Sequence, residues 1–496
     1  MLARLEQSAA LLSATDLKRA KHALIVLPKV ASLDDLSGVP SVEALSAALS
    51  RRNKKLAELG QSPLATDLAQ GTLVSWVMVD SSRPVFERQT ALRKGVQLLL
   101  AEKPDEIAIG VFGAAGGRRR AAELAVYSTW VNGARLPERK KKPGDSLRAI
   151  KLHGHVSGDG FAERRAAAEG NLLARELTVL PPNELTPASY RQRVRELARR
   201  RGWRHEEYDV KRLRKMGAGA FIAVAQGSAG EDAAIVHLAY RHPRAKRTFA
   251  LVGKGICFDT GGHNLKTPRS MQGMYKNMNG SAVALGILLA AAEMKLPMRL
   301  DCWMAIARND IGPRAYLQSE VITALNGTTI EIVHTDAEGR MVLADTLTLA
   351  ARAKPDLVVD FATLTGSMHA AVGERYSGIF ATSGELARAA LAAAGASGER
   401  VCVFPQDEDY DEELESAIAD VKQCTMDAGA DHILATRFLR RFVGDTPWLH
   451  MDLSAAKCKG GLGAVATEIN GFGVAWGIEF LKAVLGHPRP RFLSHT

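Results

Sequence analysis

The chain has 496 residues, 46% of them hydrophobic and 24% charged, with a formal net charge of +11. That length is too great for one typical domain, and that composition excludes a chain too polar to bury a core; two domains are expected. The longest apolar stretches fall short of the roughly 18 uninterrupted residues of a membrane span, and the N-terminus has no apolar core followed by a small-residue cleavage site, so no membrane contact and a cytoplasmic location are expected.

In chain order, short apolar strands are expected over 23–27, 72–79 and 106–112, with a helical pattern over 85–102 between them, an α/β alternation. A charged, glycine-bearing stretch over 139–160 breaks the rhythm. A helix over about 161–177 then leads to the stop signal Leu180-Pro181-Pro182-Asn183. Strands follow over 232–240, 248–252, 300–307, 328–334, 357–361 and 401–404. Most are continuous apolar runs, and helices over 281–294 and 341–353 separate them. That pattern predicts an α/β fold of two domains: a smaller N-terminal α/β domain over 1–155, a helical connection over 156–183, and a C-terminal domain over 184–496. The last should have a mostly parallel sheet covered by helices on both faces.

Five cysteines, Cys257, Cys302, Cys402, Cys424 and Cys458, are widely spaced and odd in number, which favours reduced, buried thiols over disulfides or a cysteine metal site. The positive charge gathers over 118–120, 139–142, 199–204, 211–215 and 241–247. Solvated surface is the simpler reading, and a nucleic-acid footprint is the alternative.

Two segments carry chemistry. The first, Val252-Gly-Lys-Gly-Ile-Cys-Phe-Asp-Thr-Gly-Gly-His-Asn-Leu-Lys266, reads as a strand ending in glycines with Lys254, Asp259 and Lys266 behind it, where ligands bind in an α/β sheet. Gly253, Gly255, Gly261 and Gly262 allow close backbone approach and positive φ. A phosphate loop is excluded by the residue order and by acidic Asp259. The second, His334-Thr-Asp-Ala-Glu-Gly-Arg-Met-Val-Leu-Ala-Asp345, places Asp336 and Glu338 two residues apart before a helix opening near Arg340. Hard divalent cations and zinc accept such carboxylates. The purely structural alternative is that Asp336 caps the helix and Glu338 pairs with Arg340.

Together these segments resemble the leucyl aminopeptidase (cytosol aminopeptidase) family, whose signature Asn-Thr-Asp-Ala-Glu-Gly-Arg stands here as His334-Thr-Asp-Ala-Glu-Gly-Arg340. The resemblance continues through Asp360-Phe-Ala-Thr-Leu-Thr-Gly366 and Trp448-Leu-His-Met-Asp452. It implies a metalloexopeptidase that hydrolyses the N-terminal bond of peptides, preferring apolar N-terminal residues, with two divalent ions (manganese or zinc) per subunit. By that resemblance Lys254, Asp259, Asn277, Asp336 and Glu338 stand at metal-ligand positions, with Asp259 and Glu338 bridging. Lys266 and Arg340 stand at the catalytic positions, Lys266 polarising the scissile carbonyl and Arg340 holding a bicarbonate that shuttles the proton. Met274, Thr363 and Gly366 match positions lining the pocket for the N-terminal side chain. A homohexamer is implied as well.

One departure matters. The family segment Asp-Met-Gly-Gly-Ala-Ala reads Asn277-Met-Asn-Gly-Ser-Ala282 here, an amide in place of a carboxylate. The alternative reading is therefore a catalytically weakened or inactive relative acting as a scaffold or a nucleic-acid-binding protein.

Overall fold

A computed structural model describes residues 1–486 except Pro143 and Ala428. It divides into two compact units, one of Met1–Leu172, Gly395–Glu399 and Lys457–Asn470, the other of Leu173–Ala394, Arg400–Ala456 and the residues from Gly471 onward.

The first unit holds a six-stranded sheet in the order Arg4–Ser8, Ala149–His153, Glu106–Val111, His22–Pro28, Leu73–Val79, Leu64–Asp67. All neighbours are parallel except the last pair. The expected strands and the helix Val85–Leu100 are all present. The outer strand Arg4–Ser8 escapes the hydrophobic pattern because none of its residues is buried.

The second unit is built on an eight-stranded sheet in the order Val401–Val403, Ser377–Ala381, Trp448–Asp452, Leu357–Ala362, Thr248–Asp259, Arg299–Asn309, Ala234–Arg241, Arg204–Asp209. The four strands from Trp448–Asp452 to Arg299–Asn309 run parallel, and antiparallel neighbours flank them on both sides. The central strands are buried nearly throughout, as continuous apolar runs require when both faces are covered. Because side chains alternate between faces, Val252 and Ile256 join one core with Met341, Val342 and Leu343 of the helix Glu338–Arg352, while Gly253 meets the helix Asn279–Glu293. A Cβ on Gly253 would lie 2.4 Å from the Cα of Ser281. That glycine is a packing requirement between strand and helix, not a ligand approach.

Two expectations change. The strand expected over 248–252 continues to Asp259, so Lys254 lies within it rather than behind it. The strand expected over 328–334 shrinks to Thr329–Glu331, where only Ile330 is buried, and it belongs to a separate sheet with Val321–Thr323 and Val421–Lys422. Cys257, Cys302, Cys424 and Cys458 are buried and Cys402 is partly so, and all five are free thiols. Among the described residues no helix is long and apolar enough to cross a membrane.

Candidate active site

The strand Thr248–Asp259 sends two charged side chains to one place, Lys254 from its middle and Asp259 from its end. Past Asp259 the chain turns back sharply. Asp259 Oδ1 accepts from the Gly261 N–H at 2.9 Å, and Gly261 and Gly262 take φ of +90° and +65°. A Cβ on Gly261 would lie 2.4 Å from the Asn264 carbonyl oxygen, so the turn needs glycine there. The Lys266 N–H donates to Thr260 O at 2.9 Å, which closes the loop and returns Lys266 to Asp259.

The second segment meets this loop through Thr335. Its hydroxyl donates to Gly261 O at 2.7 Å and accepts from the Asn264 N–H at 2.8 Å, while its own N–H donates to Asn264 Oδ1 at 2.8 Å. Asp336 follows, and Glu338 opens the helix Glu338–Arg352, where free N–H groups and the helix dipole favour a carboxylate. His334 stands where the family has asparagine. Its Nδ1 accepts from the Asp336 N–H at 3.2 Å, the contact to residue i+2 that an asparagine side chain makes in an Asx turn.

Asp259, Asp336 and Glu338 thus offer oxygens within 4.8 Å of one another. Lys254 Nζ lies 2.7 Å from Glu338 Oε1, and Lys266 Nζ lies 3.1 Å from Asp259 Oδ2 and 2.5 Å from Asp336 Oδ1. Asn277 joins the same cluster through its amide. Gly339 makes room for Lys254, since a Cβ there would sit 2.5 Å from Nζ. Arg340 is turned away from Glu338. It donates from Nη1 to Gln423 O at 3.1 Å and pairs through Nη2 with Asp431 at 2.7 Å, so the purely structural Glu338–Arg340 pairing is absent. Its buried Nε has no hydrogen-bond partner among the described residues.

Of the three residues expected to line a pocket, Thr363 is tied into the cluster itself: its carbonyl accepts from Lys254 Nζ at 3.2 Å and its hydroxyl donates to Asn277 Oδ1 at 2.9 Å. Gly366 opens the helix Gly366–Val372 with empty space on its Cβ side, and Met274 is half-buried in the turn Met274–Lys276. Sequence reasoning missed Asn309, Gln423 and Asp431. Asn309 Nδ2 donates to Asp259 Oδ1 at 2.9 Å, and the Gln423 side chain accepts from the His334 N–H at 3.2 Å and donates to Ala337 O at 3.0 Å. Asn309 ends the strand Arg299–Asn309 in register with Asp259, a pairing that the expected strand over 300–307 stopped short of.

Burial and mutual repulsion set the electrostatics. Desolvation, then Asp259, pushes Glu338 up to about 7, and the same causes raise Asp336. Burial alone would lower Lys266, but Asp259, Glu338 and Asp336 outweigh it and raise it. Three crowded oxygen donors in this state suit a hard divalent cation. A sign follows for stability. Glu338 holds its proton more tightly folded than its ordinary 4.5, so the cation-free protein loses stability as pH rises from 4.5 through about 7. A bound cation removes that loss. The rise in melting temperature on adding Mn²⁺ to chelator-stripped protein is therefore expected to be larger at about pH 8 than at about pH 5.5; equal rises would show that the cluster is not where the ion binds.

Comparison with known proteins gives the same direction. A profile of the "Cytosol aminopeptidase family, catalytic domain" matches residues 172–476. A probable cytosol aminopeptidase of Rhodopseudomonas palustris is 35% identical over 383 residues, 75% of this chain and 73% of the relative. One from Methylobacterium radiotolerans is 37% identical over 358 residues, 70% and 69% of the two chains. Among solved structures, the bottromycin maturation enzyme BotP in complex with Mn is 32% identical, covers 94% of this chain and 99% of its own, and has a TM-score of 0.81. The cytosol aminopeptidase of Coxiella burnetii is 25% identical over 96% and 98% of the two chains, with a TM-score of 0.79.

Proposed function

This chain belongs to the cytosol aminopeptidase family and is a metal-dependent aminopeptidase, and from that premise we propose that it cleaves the first residue, preferably an apolar one, from peptides at the cluster of Asp259, Asp336 and Glu338. The observation that carries this reading is the convergence of those three carboxylates with Lys254 and Lys266 at the ends of the family's two motifs. A divalent cation there supplies Lewis acidity and lowers the pKa of water far enough to provide hydroxide near neutral pH. Manganese is the ion we favour, because a related structure at 32% identity is a complex with it.

The chain's own groups have separate tasks. Asp336 and Glu338, with Asp259, would hold the cation in place. Lys266, on a loop, 13% exposed and paired with Asp259 and Asp336, would turn its ammonium to the place where the substrate carbonyl oxygen gains charge, and stabilise that charge more than it stabilises the substrate. Arg340 is anchored by Asp431 and Gln423 with Nε left over, a geometry that suits a bicarbonate acting as proton shuttle. The open space on the Cβ side of Gly366 and the half-buried, apolar side chain of Met274 are the observations behind an apolar first residue.

The homohexamer and the cytoplasmic location implied by the family belong to the same proposal. Nucleic acid does not enter it. Arginines of two basic segments are taken up by carboxylates, Arg201 by Glu293, Arg212 by Glu206 and Arg214 by Glu231. The deciding assay uses a panel of aminoacyl amides with Mn²⁺ or Zn²⁺ against chelator. Turnover confined to free N-termini and to metal-loaded protein is expected. No turnover with either ion on any substrate would leave the scaffold reading.

A further inference from the structure

Asn277 follows the turn Met274–Lys276 and is 8% exposed. Its Nδ2 donates to Asp259 Oδ2 at 3.0 Å and to Glu338 Oε1 at 3.3 Å, while its Oδ1 accepts from the Thr363 hydroxyl at 2.9 Å. The neighbours dictate that orientation, because Asp259 and Glu338 both set acceptor oxygens against the same end of the amide, which is therefore its NH₂. Lys254 Nζ reaches the same Glu338 oxygen at 2.7 Å and is also held by the Thr363 carbonyl. On the side of Lys254 and Asn277 the cluster therefore presents hydrogen-bond donors to Asp259 and Glu338, where a cation would need lone pairs.

The part bounded by Asp259, Asp336 and Glu338 differs. Its three carboxylates converge, and the ammonium that joins Asp259 to Asp336, that of Lys266, comes from a loop and is 13% exposed, against 2% for Lys254, so it can withdraw toward a substrate. We infer that this chain binds one divalent cation per subunit, on Asp259, Asp336 and Glu338, and that the Asn277 amide closes the second position that the family resemblance implies. A second ion would require Asn277 to turn its oxygen inward, breaking its bonds to Asp259 and Glu338 in a buried site and reversing the one to the Thr363 hydroxyl.

The inference rests on the metal-dependent reading above but has its own readout. Full-length protein is stripped with chelator, equilibrated with Mn²⁺, and examined by metal analysis and electron paramagnetic resonance. One ion per subunit is expected, with the hyperfine pattern of an isolated Mn²⁺. Asn277→Asp, which adds a carboxylate at nearly constant shape, is expected to bind a second ion roughly 100-fold more tightly than the natural chain does, and to show a spin-coupled pair. Asn277→Ala, which opens the position without adding a ligand, is expected to stay at one ion. Two ions in the natural chain, or none, overturn the inference, as does an Asn277→Asp variant that folds and still takes one. Peptide hydrolysis on the same samples separates the two readings. One ion without cleavage defeats the aminopeptidase proposal and leaves the count standing; two ions with cleavage do the reverse.

Discussion

Alanine at Asp336 is expected to lower kcat/KM by at least about 10³-fold, some 4 kcal/mol of transition-state stabilisation, while the protein stays folded. The reason lies in where Asp336 sits. It is a loop residue with a side chain 25% exposed, and its ion-pair partner Lys266 keeps Asp259 when Asp336 is gone. What disappears is one of the three carboxylates that face a cation. Metal analysis of the variant is expected to show strongly reduced Mn²⁺ under conditions that load the natural chain. Near-normal turnover with Asp336→Ala would remove the whole assignment of the site.

Glu338 makes the contrast useful. Its side chain is 1% exposed and pairs with Lys254, itself 2% exposed, so removing it strands a buried ammonium. Breaking such a pair costs about 3–5 kcal/mol, enough to confuse lost chemistry with lost folding. Asp336 tests the chemistry without that complication.

How much of this was legible in the sequence depends on which physical signal each residue left. The central strands announced themselves because both faces are covered and most of their positions are apolar. The edge strand Arg204–Asp209, RHEEYD, has no buried residue and left no hydrophobic trace. Lys254 and Asp259 were visible as charges in an apolar, glycine-bearing run, yet their place relative to the strand was misread. A lysine inside a buried strand contradicts the usual pattern, and only its pairing with Glu338 and the gap at Gly339 make it tenable. Gly253 and Gly255 looked like ligand-contact glycines for the same reason. Their backbones take no positive φ, and it is the close helix and neighbouring strand that exclude a side chain.

The supporting residues were harder to see. Gln423 holds the 334–337 loop by its side chain and Arg340 by its carbonyl, across more than 80 residues, and nothing local distinguishes it from any other glutamine. Asp431 reads as an ordinary first-turn acid of the helix Asp431–Arg440 until Arg340 is found against it. His334 was visible only as a departure, and its meaning required the Nδ1 contact to Asp336. The return of Gly395–Glu399 and Lys457–Asn470 to the first unit likewise depends on contacts that no reading along the chain supplies.

Lys266→Ala is expected to behave differently from Asp336→Ala, because the lysine acts on the substrate and not on the cation. Lys266 approaches Asp259 and Asp336 in the cation-free protein, and these two acids with Glu338 raise its pKa, so it remains an ammonium across the working pH range. A positive donor placed beside a developing oxyanion contributes most in the transition state, and its removal is expected to lower kcat by about 10²–10³-fold with little change in KM. The effect on metal has the opposite sign from Asp336→Ala. Taking away one positive charge beside Asp259 and Asp336 leaves the carboxylates freer to hold a divalent ion, so Mn²⁺ affinity is expected to stay the same or rise. Steady-state kinetics and metal content measured on the same preparation separate the two roles. A Lys266→Ala protein that loses its ion would make the lysine part of the cation site, and one that keeps full kcat would show that another group stabilises the oxyanion.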